Sequence, residues 1–297
     1  MKIISKILIA YDGSACSDAA LNDLTRAGLS SALEAVVVTV AYIILPPPDD
    51  ALPADDRSVI SIPKVERYAQ ACSEKAIKEA RAFAELAAER VKAAFPGWDV
   101  RPEVCCDAPA WAIIKMAYSD SPGLILVGSH RHSVAGGRLI LGSVSQRVLY
   151  EARCSVRVAR CSDEFCEGPV RIVVGFNGSP SSELAVDAVA SRAWPEGSEA
   201  LIVTALDTQT PISPDVPTEK LRTAGLLTSA VVREGDPAHI LVDEAKKWDA
   251  NSIFVGTRDI HGFQHLLHGN VSAAVAARAP CSVEIVRPER GLDRTQI

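Results

Sequence analysis

Aromatic side chains are scarce in this 297-residue chain, at 5% of its positions. Its apolar bulk comes instead from Ala, Val, Leu and Ile, a composition common in buried parallel strands covered by helices. Positive charge is in deficit too: the formal net charge is −6. Such a surface repels phosphate backbones, which argues against nucleic acid as a partner. Long hydrophobic runs are missing. The longest, such as 35–45, fall short of the roughly 20 residues that span a bilayer, so no membrane association is expected. The start of the chain lacks a charged, apolar, small-residue leader pattern, and a cytoplasmic location is the default expectation. The eight cysteines include no C-x-x-C and no zinc-like spacing, so most read as small apolar residues of the core. Cys105-Cys106 reads as two side chains alternating at a strand end, with a redox pair as the alternative. No Walker A, H-E-x-x-H, G-x-S-x-G or Cys-His signature is present.

What the chain does have is a repeat. KILIAYDGS (6–14) matches RIVVGFNGS (171–179), GLILVGS (123–129) matches SIFVGTR (252–258), and LGSVSQRVLYEARCSVRVAR (141–160) matches HGNVSAAVAARAPCSVEIVR (268–287). CDAPAWAII (106–114) aligns with GDPAHILVD (235–243). The order is the same in both halves. The offset is 165 at the start of each unit and 127 at its end, so the first copy carries extra chain in its middle. The expected units are 1–161 and 169–289, with a linker at 162–168 and a tail at 290–297.

Each unit alternates short apolar runs with longer runs of helical period. In the first, strands are expected near 6–11, 35–41, 98–105, 123–128 and 155–160, with helices near 15–29, 64–95, 109–119 and 143–152. Ala20, Leu21, Leu24 and Ala27 make the apolar stripe of the first helix. The Ala-rich stretch 67–95 reads as a long covering helix, ended by Pro96-Gly97. The second unit repeats the scheme, with only a stub near 217–224 for its second helix. Asp236-Pro237 reads as an N-cap followed by proline at the first helical position. The expected fold is α/β: two tandem five-stranded parallel-sheet domains, Rossmann-like, strand order 3-2-1-4-5, helices on both faces.

That order puts strands 1 and 4 side by side with the chain leaving them in opposite directions, the switch point where open α/β sheets bind ligands. Three segments converge there: Ala10-Tyr11-Asp12, Val127-Gly128, and Gly142-Ser143-Val144-Ser145. A helix N-terminus offers unpaired N–H groups and about half a positive charge, a ready seat for phosphate. Gly142 would let a ligand approach the backbone and Ser143 would add a hydroxyl. The plainer alternative is a turn glycine and a helix cap. Asp12 likewise reads as a helix cap or a ligand group.

At these residues the sequence resembles the tandem universal stress proteins of the UspA type, whose signature is G-x2-G-x9-G-[S/T] followed by V-[S/T] and a C-P-V strand. LGSVSQRV…CSV carries the match, and the resemblance covers roughly 1–160 and 169–289. It implies ATP or another adenine nucleotide as ligand, with Mg2+ as a candidate counter-ion, and a stress-response regulator that binds rather than turns over rapidly. By the same resemblance Asp12 would meet the nucleoside, Ala10 and Val40 would flank the base, and Val127, Gly128, Gly142, Ser143, Val144 and Ser145 would line ribose and phosphates. Arg131 would add positive charge, with Arg138, Gly136 and Gly137 in the same loop.

The first copy departs from the signature in spacing: Gly128 and Gly142 are 14 apart, not 13, and position 131 is Arg. The second has Asp259 at the middle glycine, Asn270 after Gly269, and Asn177 where the first has Asp12. The first half is therefore the expected site and the second a degenerate one. His261, His265 and His268 are spaced for one helix face, with a polar loop as the alternative to a metal site. The last strands, CSVRVAR and CSVEIVR, are edges that want partners, so the two halves are expected to pair within the chain, with a homodimer and a regulatory protein as further partners. Two rivals to the binding module stand open: a slow ATP-hydrolysing or phosphoryl- or nucleotidyl-transferring enzyme, and a ligand-free interaction scaffold.

Overall fold

The computed structural model describes residues 4–43, 62–129, 141–160, 168–206, 213–257 and 271–288. Strands β1 (Lys6–Ala10), β2 (Glu34–Ala41), β3 (Asp99–Cys106), β4 (Leu124–Gly128) and β5 (Ser155–Ala159) belong to the first half. Between them lie α1 (Ala15–Asp23), α2 (Ile62–Ala94), α3 (Pro109–Asp120) and α4 (Ser143–Glu151). The second half supplies β6 (Arg171–Gly175), α5 (Pro180–Ala190), β7 (Glu199–Leu206), α6 (Asp215–Thr223), β8 (Leu227–Glu234), α7 (Pro237–Lys247), β9 (Ser252–Gly256), α8 (Val271–Arg278) and β10 (Ser282–Val286). Strand order within the halves is 3-2-1-4-5 and 10-9-6-7-8. All pairings inside a half are parallel. The two halves join through their last strands, the edges expected to pair within the chain, so the two five-stranded sheets are not separate. β5 pairs antiparallel with β10, and the result is one ten-stranded sheet.

The period of two in each strand sorts side chains onto two faces. Leu8, Val36, Val38, Ile125 and Val127 face α3 and α4, whose Ile113, Ile114, Val148 and Leu149 close over them. That core runs on without interruption into Val173, Leu201, Leu241 and Ile253 of the second half, so the two halves share one core on this face. On the other face, Ile7, Ile9, Val37 and Leu126 pack under α1 and α2. The expected stripe Ala20, Leu21, Leu24 and Ala27 is buried there. In α2, Ala80, Ala84, Ala87, Ala88 and Val91 are buried at helical spacing, which makes it a cover for the sheet.

Some expectations need correction. The first helix ends at Asp23 and tightens into a 3-10 turn, Leu24–Arg26, before Gly28 at φ +61° reverses the chain. The expected alignment of 106–114 with 235–243 is one residue out of step: Pro109 opens α3 and Pro237 opens α7, so these helices correspond at an offset of 128. Asp236 caps α7 as expected, accepting from the His239 N–H at 2.8 Å. Of the six described cysteines only Cys281 is buried; Cys106 is exposed and the other four are intermediate. Cys281 belongs to the core, and Cys105 and Cys154 pack against it from element ends, so the core reading holds for these three. Among the described residues no helix is long and apolar enough to cross a membrane.

Candidate functional site

Strand β1 pairs with β2 on one side and β4 on the other. The chain leaves β1 toward α1 on one face and, after β4, reaches α4 on the opposite face. The crevice between the two exits lies just past Ala10 and Gly128. Ala10, Val40 and Val144 are partly buried and pack on the core of the α3–α4 face, so they form one wall. Val127 is inside that core at 2% exposure and supports the wall from behind.

Tyr11 turns the other way. Its ring is buried on the α1–α2 face, and its hydroxyl donates to Asp18 at 2.8 Å. Asp18 also receives Arg90 of α2. Burial and the Asp18 carboxylate push the Tyr11 phenol up to about 12. Strand alternation explains this: Ala10 and Tyr11 cannot both face the crevice. Only the Tyr11 backbone lies near it, with its N–H given to Val38 O at 2.9 Å.

Asp12 is exposed and shapes the turn into α1. Its Oδ1 accepts the Ser14 N–H at 3.0 Å, and Ser14 Oγ accepts the Ser17 N–H at 3.2 Å. Partial desolvation would raise the Asp12 carboxyl. The hydrogen bonds from Ser14 and Ser17 outweigh it and hold the group below the ordinary carboxylate value. In the second half Asn177 makes the same turn, accepting from the Ser179 N–H at 3.2 Å. The cap of α1 is therefore Ser14 and not Asp12, which braces the turn before the cap and leaves a charged group at its exposed surface.

The two signature glycines do different things. A Cβ on Gly128 would lie 2.4 Å from Cys16 O and 2.7 Å from Cys16 C, so α1 packs on β4 only because position 128 has no side chain. Gly256 does the same against Ser181 O. Gly128 is a packing glycine rather than an open approach for ligand. Gly142 is the reverse case. Among the described residues a Cβ there would meet nothing nearer than Ser145 Oγ, at 3.9 Å.

Ser145 is also spent on structure. Its buried hydroxyl donates to Gly128 O at 2.6 Å and ties the first turn of α4 to the end of β4. Ser272 repeats the bond to Gly256 O at 3.0 Å. Ser143, by contrast, is exposed. Helices α1, α5 and α7 each have a side-chain cap, from Ser14, Ser179 and Asp236. α4 has none, because its cap residue is Gly142. The N–H groups of its first turn have no acceptor among the described residues. Its other end is clasped from across the junction: Arg287 donates to Leu149 O and, at 3.2 Å, to Cys154 O. Arg160 does the same to Ala276 O and Ala279 O at the end of α8. Arg160 and Arg287 close the two matching last strands, a repeat visible in the sequence whose purpose only the folded chain reveals.

Arg131, Arg138, Gly136, Gly137, His130 and His132 lie outside the described residues, as do Asp259, His261, His265, His268, Gly269 and Asn270. The structure therefore groups Ala10, Val40 and Val144 on one wall, places Asp12 in the turn after β1 and Gly142 and Ser143 at the start of α4, and spends Val127, Gly128, Ser145 and Tyr11 on packing and internal bonds.

Comparison with known proteins agrees with this architecture. A universal stress protein of Mycolicibacterium smegmatis is 28% identical over 303 residues, spanning 95% of this chain and 97% of its own. Universal stress protein Rv2623 of Mycobacterium tuberculosis is 31% identical over 185 residues, 55% of this chain and 61% of its own. The crystal structure of a universal stress protein from Archaeoglobus fulgidus superposes with a TM-score of 0.71 at 20% identity, covering 97% of both chains. The Universal stress protein family matches twice, over residues 4–160 and 170–287. With both matches spanning the two half-sheets, the chain belongs to the universal stress protein family, carrying its domain in tandem.

Proposed function

We propose that the first unit, 1–161, binds an adenine nucleotide in the crevice between β1 and β4, with its phosphates at the tip of α4. The observation that carries this reading is the combination at Gly142: a helix start that, among the described residues, has no side-chain cap and no atom nearer than 3.9 Å to an added Cβ. An anion there would take the first-turn N–H groups that no described residue accepts from, aided by the positive end of the helix. Ser143 would add its hydroxyl. Ala10, Val40 and Val144 offer an apolar wall for the base. Asp12, the one carboxylate of the set, stands ready for a ribose hydroxyl or for a nucleotide-borne Mg2+. ATP is the proposed nucleotide, with Arg131 on the phosphate side. The second unit, 169–289, has Asn177 in place of the carboxylate and is the altered copy, joined by a linker at 162–168.

The chemistry at the crevice favours binding over turnover. Among the described site residues there is no base positioned against Ser143, and Ser145 is held by Gly128 O. A nucleotide-responsive stress regulator acting in the cytoplasm follows from this reading. None of the six described cysteines is in a disulfide, which fits a reducing compartment. Ligand occupancy would act through α4, whose far end is held by Arg287 of the other half.

The test is direct. Small molecules released from the purified full-length protein are identified by mass spectrometry, and ATP, ADP and AMP are titrated calorimetrically. The variant Gly142→Val/Ser143→Ala is expected to lower affinity at least tenfold, about 1.4 kcal/mol. Unchanged affinity in that variant, or no binding of any adenine nucleotide by the wild type, refutes the assignment. Turnover at enzyme-like rates would favour the transferase rival.

A further inference from the structure

The ten-stranded sheet is continuous only through β5 and β10. Their register sets Val158 against Val283, Arg157 against Glu284 and Val156 against Ile285. In the repeat, position 157 corresponds to 284, 156 to 283 and 158 to 285. Arg157 and Glu284 are therefore the pair on the pseudo-twofold axis, the one place where a residue faces its own counterpart. The two strands read CSVRVAR and CSVEIVR, and the exchange of Arg for Glu is their one change of charge.

Both side chains are completely buried, at 0% and 1% exposure. Arg157 donates from Nε to Asp23 Oδ2 at 2.6 Å, from Nη2 to Asp23 Oδ1 at 3.1 Å and to Ser252 Oγ at 2.9 Å, and from Nη1 to Glu284 Oε2 at 3.5 Å. Asp23 also accepts from Ser282 Oγ of the other half at 2.7 Å. The second oxygen of Glu284 is taken by Arg192, whose Nη1 reaches across to Ala27 O at 2.5 Å. Two buried acids and two buried bases thus cancel, in a network that alternates in sign and crosses the junction repeatedly.

Like halves could not build it. Two first halves joined by this register would bury Arg157 against Arg157, with Leu124 at the position where Ser252 accepts. Two second halves would bury Glu284 against Glu284, with Ala188 at the position of Asp23. Like charges at facing positions in a dry site are strongly disfavoured. The consequence is topological. A chain with two self-complementary edges would link to a different neighbour at each end and grow without closing.

We propose that Asp23, Arg157, Arg192 and Glu284 form a pairing code: the edge of a first half accepts the edge of a second half and rejects another first half. The occupant it selects is the chain's own second half. The code stands whether or not the crevice binds nucleotide.

The experiment uses two full-length variants, R157E and E284R, made singly and co-expressed with different tags. Each alone faces like charges across its own junction and is expected to lose the compact 31.6 kDa monomer. Together they contain one intact first half, in E284R, and one intact second half, in R157E. Those two are expected to pair in trans, giving a heterodimer at twice the 31.6 kDa of one chain, at least tenfold in excess over either homodimer. Two differently tagged R157E chains should show no such pairing. If the single variants are insoluble, recovery of soluble heterodimer on co-expression still supports the code. A single variant that remains a compact monomer with the wild-type Tm overturns it, and so does a co-expressed pair that yields no heterodimer.

Discussion

Gly128→Ala and Gly142→Ala are chemically the same substitution at two ends of one crevice, and the structure assigns them opposite consequences. At Gly128 the new methyl would sit 2.4 Å from Cys16 O, about 1 Å inside ordinary contact. The obstacle is backbone, and that backbone is held: Ser17 N–H bonds to Ser14 Oγ at 3.2 Å and Asp18 N–H to Ser14 O at 2.9 Å. Overpacking typically costs about 1–3 kcal/mol, and an immovable neighbour puts this case near about 3 kcal/mol. For a unit of this size that is roughly 6–12 °C in Tm. At Gly142 the methyl meets, among the described residues, only Ser145 Oγ at 3.9 Å. Losing glycine at a helix cap costs at most about 1 kcal/mol. The stiffer unfolded chain returns about 0.4–1 kcal/mol, so the two nearly cancel. Urea denaturation and calorimetry of the two full-length variants measure the difference. A Gly128→Ala protein as stable as wild type, or a Gly142→Ala protein as damaged as Gly128→Ala, would refute the division of labour between the two glycines.

Other outcomes can be stated as firmly. Ser145→Ala removes the buried bond to Gly128 O and should cost about 1–2 kcal/mol in urea denaturation, with Ser272→Ala showing a comparable loss. Asp12→Asn should leave the urea midpoint at pH 7 nearly unchanged, because Asn177 already makes the same turn. The Asp12 carboxyl lies below its usual 3.8 in the folded chain, so its contribution is present above that pH and is lost as pH falls through the lower folded value. The Asn variant should show a shallower loss of stability in acid; an identical acid limb would refute the bonding drawn for Asp12. Tyr11, moved from 10.0 to about 12, contributes stability below pH 10 that is lost as pH rises toward 12. Ultraviolet titration of wild type against Tyr11→Phe should isolate a phenol ionising near 12, and a difference spectrum centred near 10 would sink that assignment.

Element positions were legible because each depends on local signals. The strands are short apolar runs, Asp236-Pro237 marks the start of α7, and apart from the end of the first helix the bounds agree to a residue or two; the cap of α1 was sought at Asp12 and lies two residues on, at Ser14. The first helix was read too long because nothing local marks the 3-10 turn at Leu24–Arg26. The crevice was legible as a set of segments but not as a set of side chains. Tyr11 lies next to Ala10 in sequence yet faces Asp18 and Arg90, and Arg90 is 72 residues from Asp18. Gly128 and Gly142 look alike in a motif, and only the approach of α1 separates them.

By itself the sequence determined the periodicities, the caps, the duplication and thereby the strand order of each half, since these follow from spacing along the chain and the handedness of crossovers. The last strands were also marked as edges in want of a partner; tertiary structure alone decided that they pair with each other in antiparallel register, that the halves share one core, and that Arg157 and Glu284 meet on the axis beside Asp23 and Arg192. The reason is physical. The energy of a buried charge depends on what surrounds it in space, and residues 23, 157, 192 and 284 acquire their partners only when distant segments fold together.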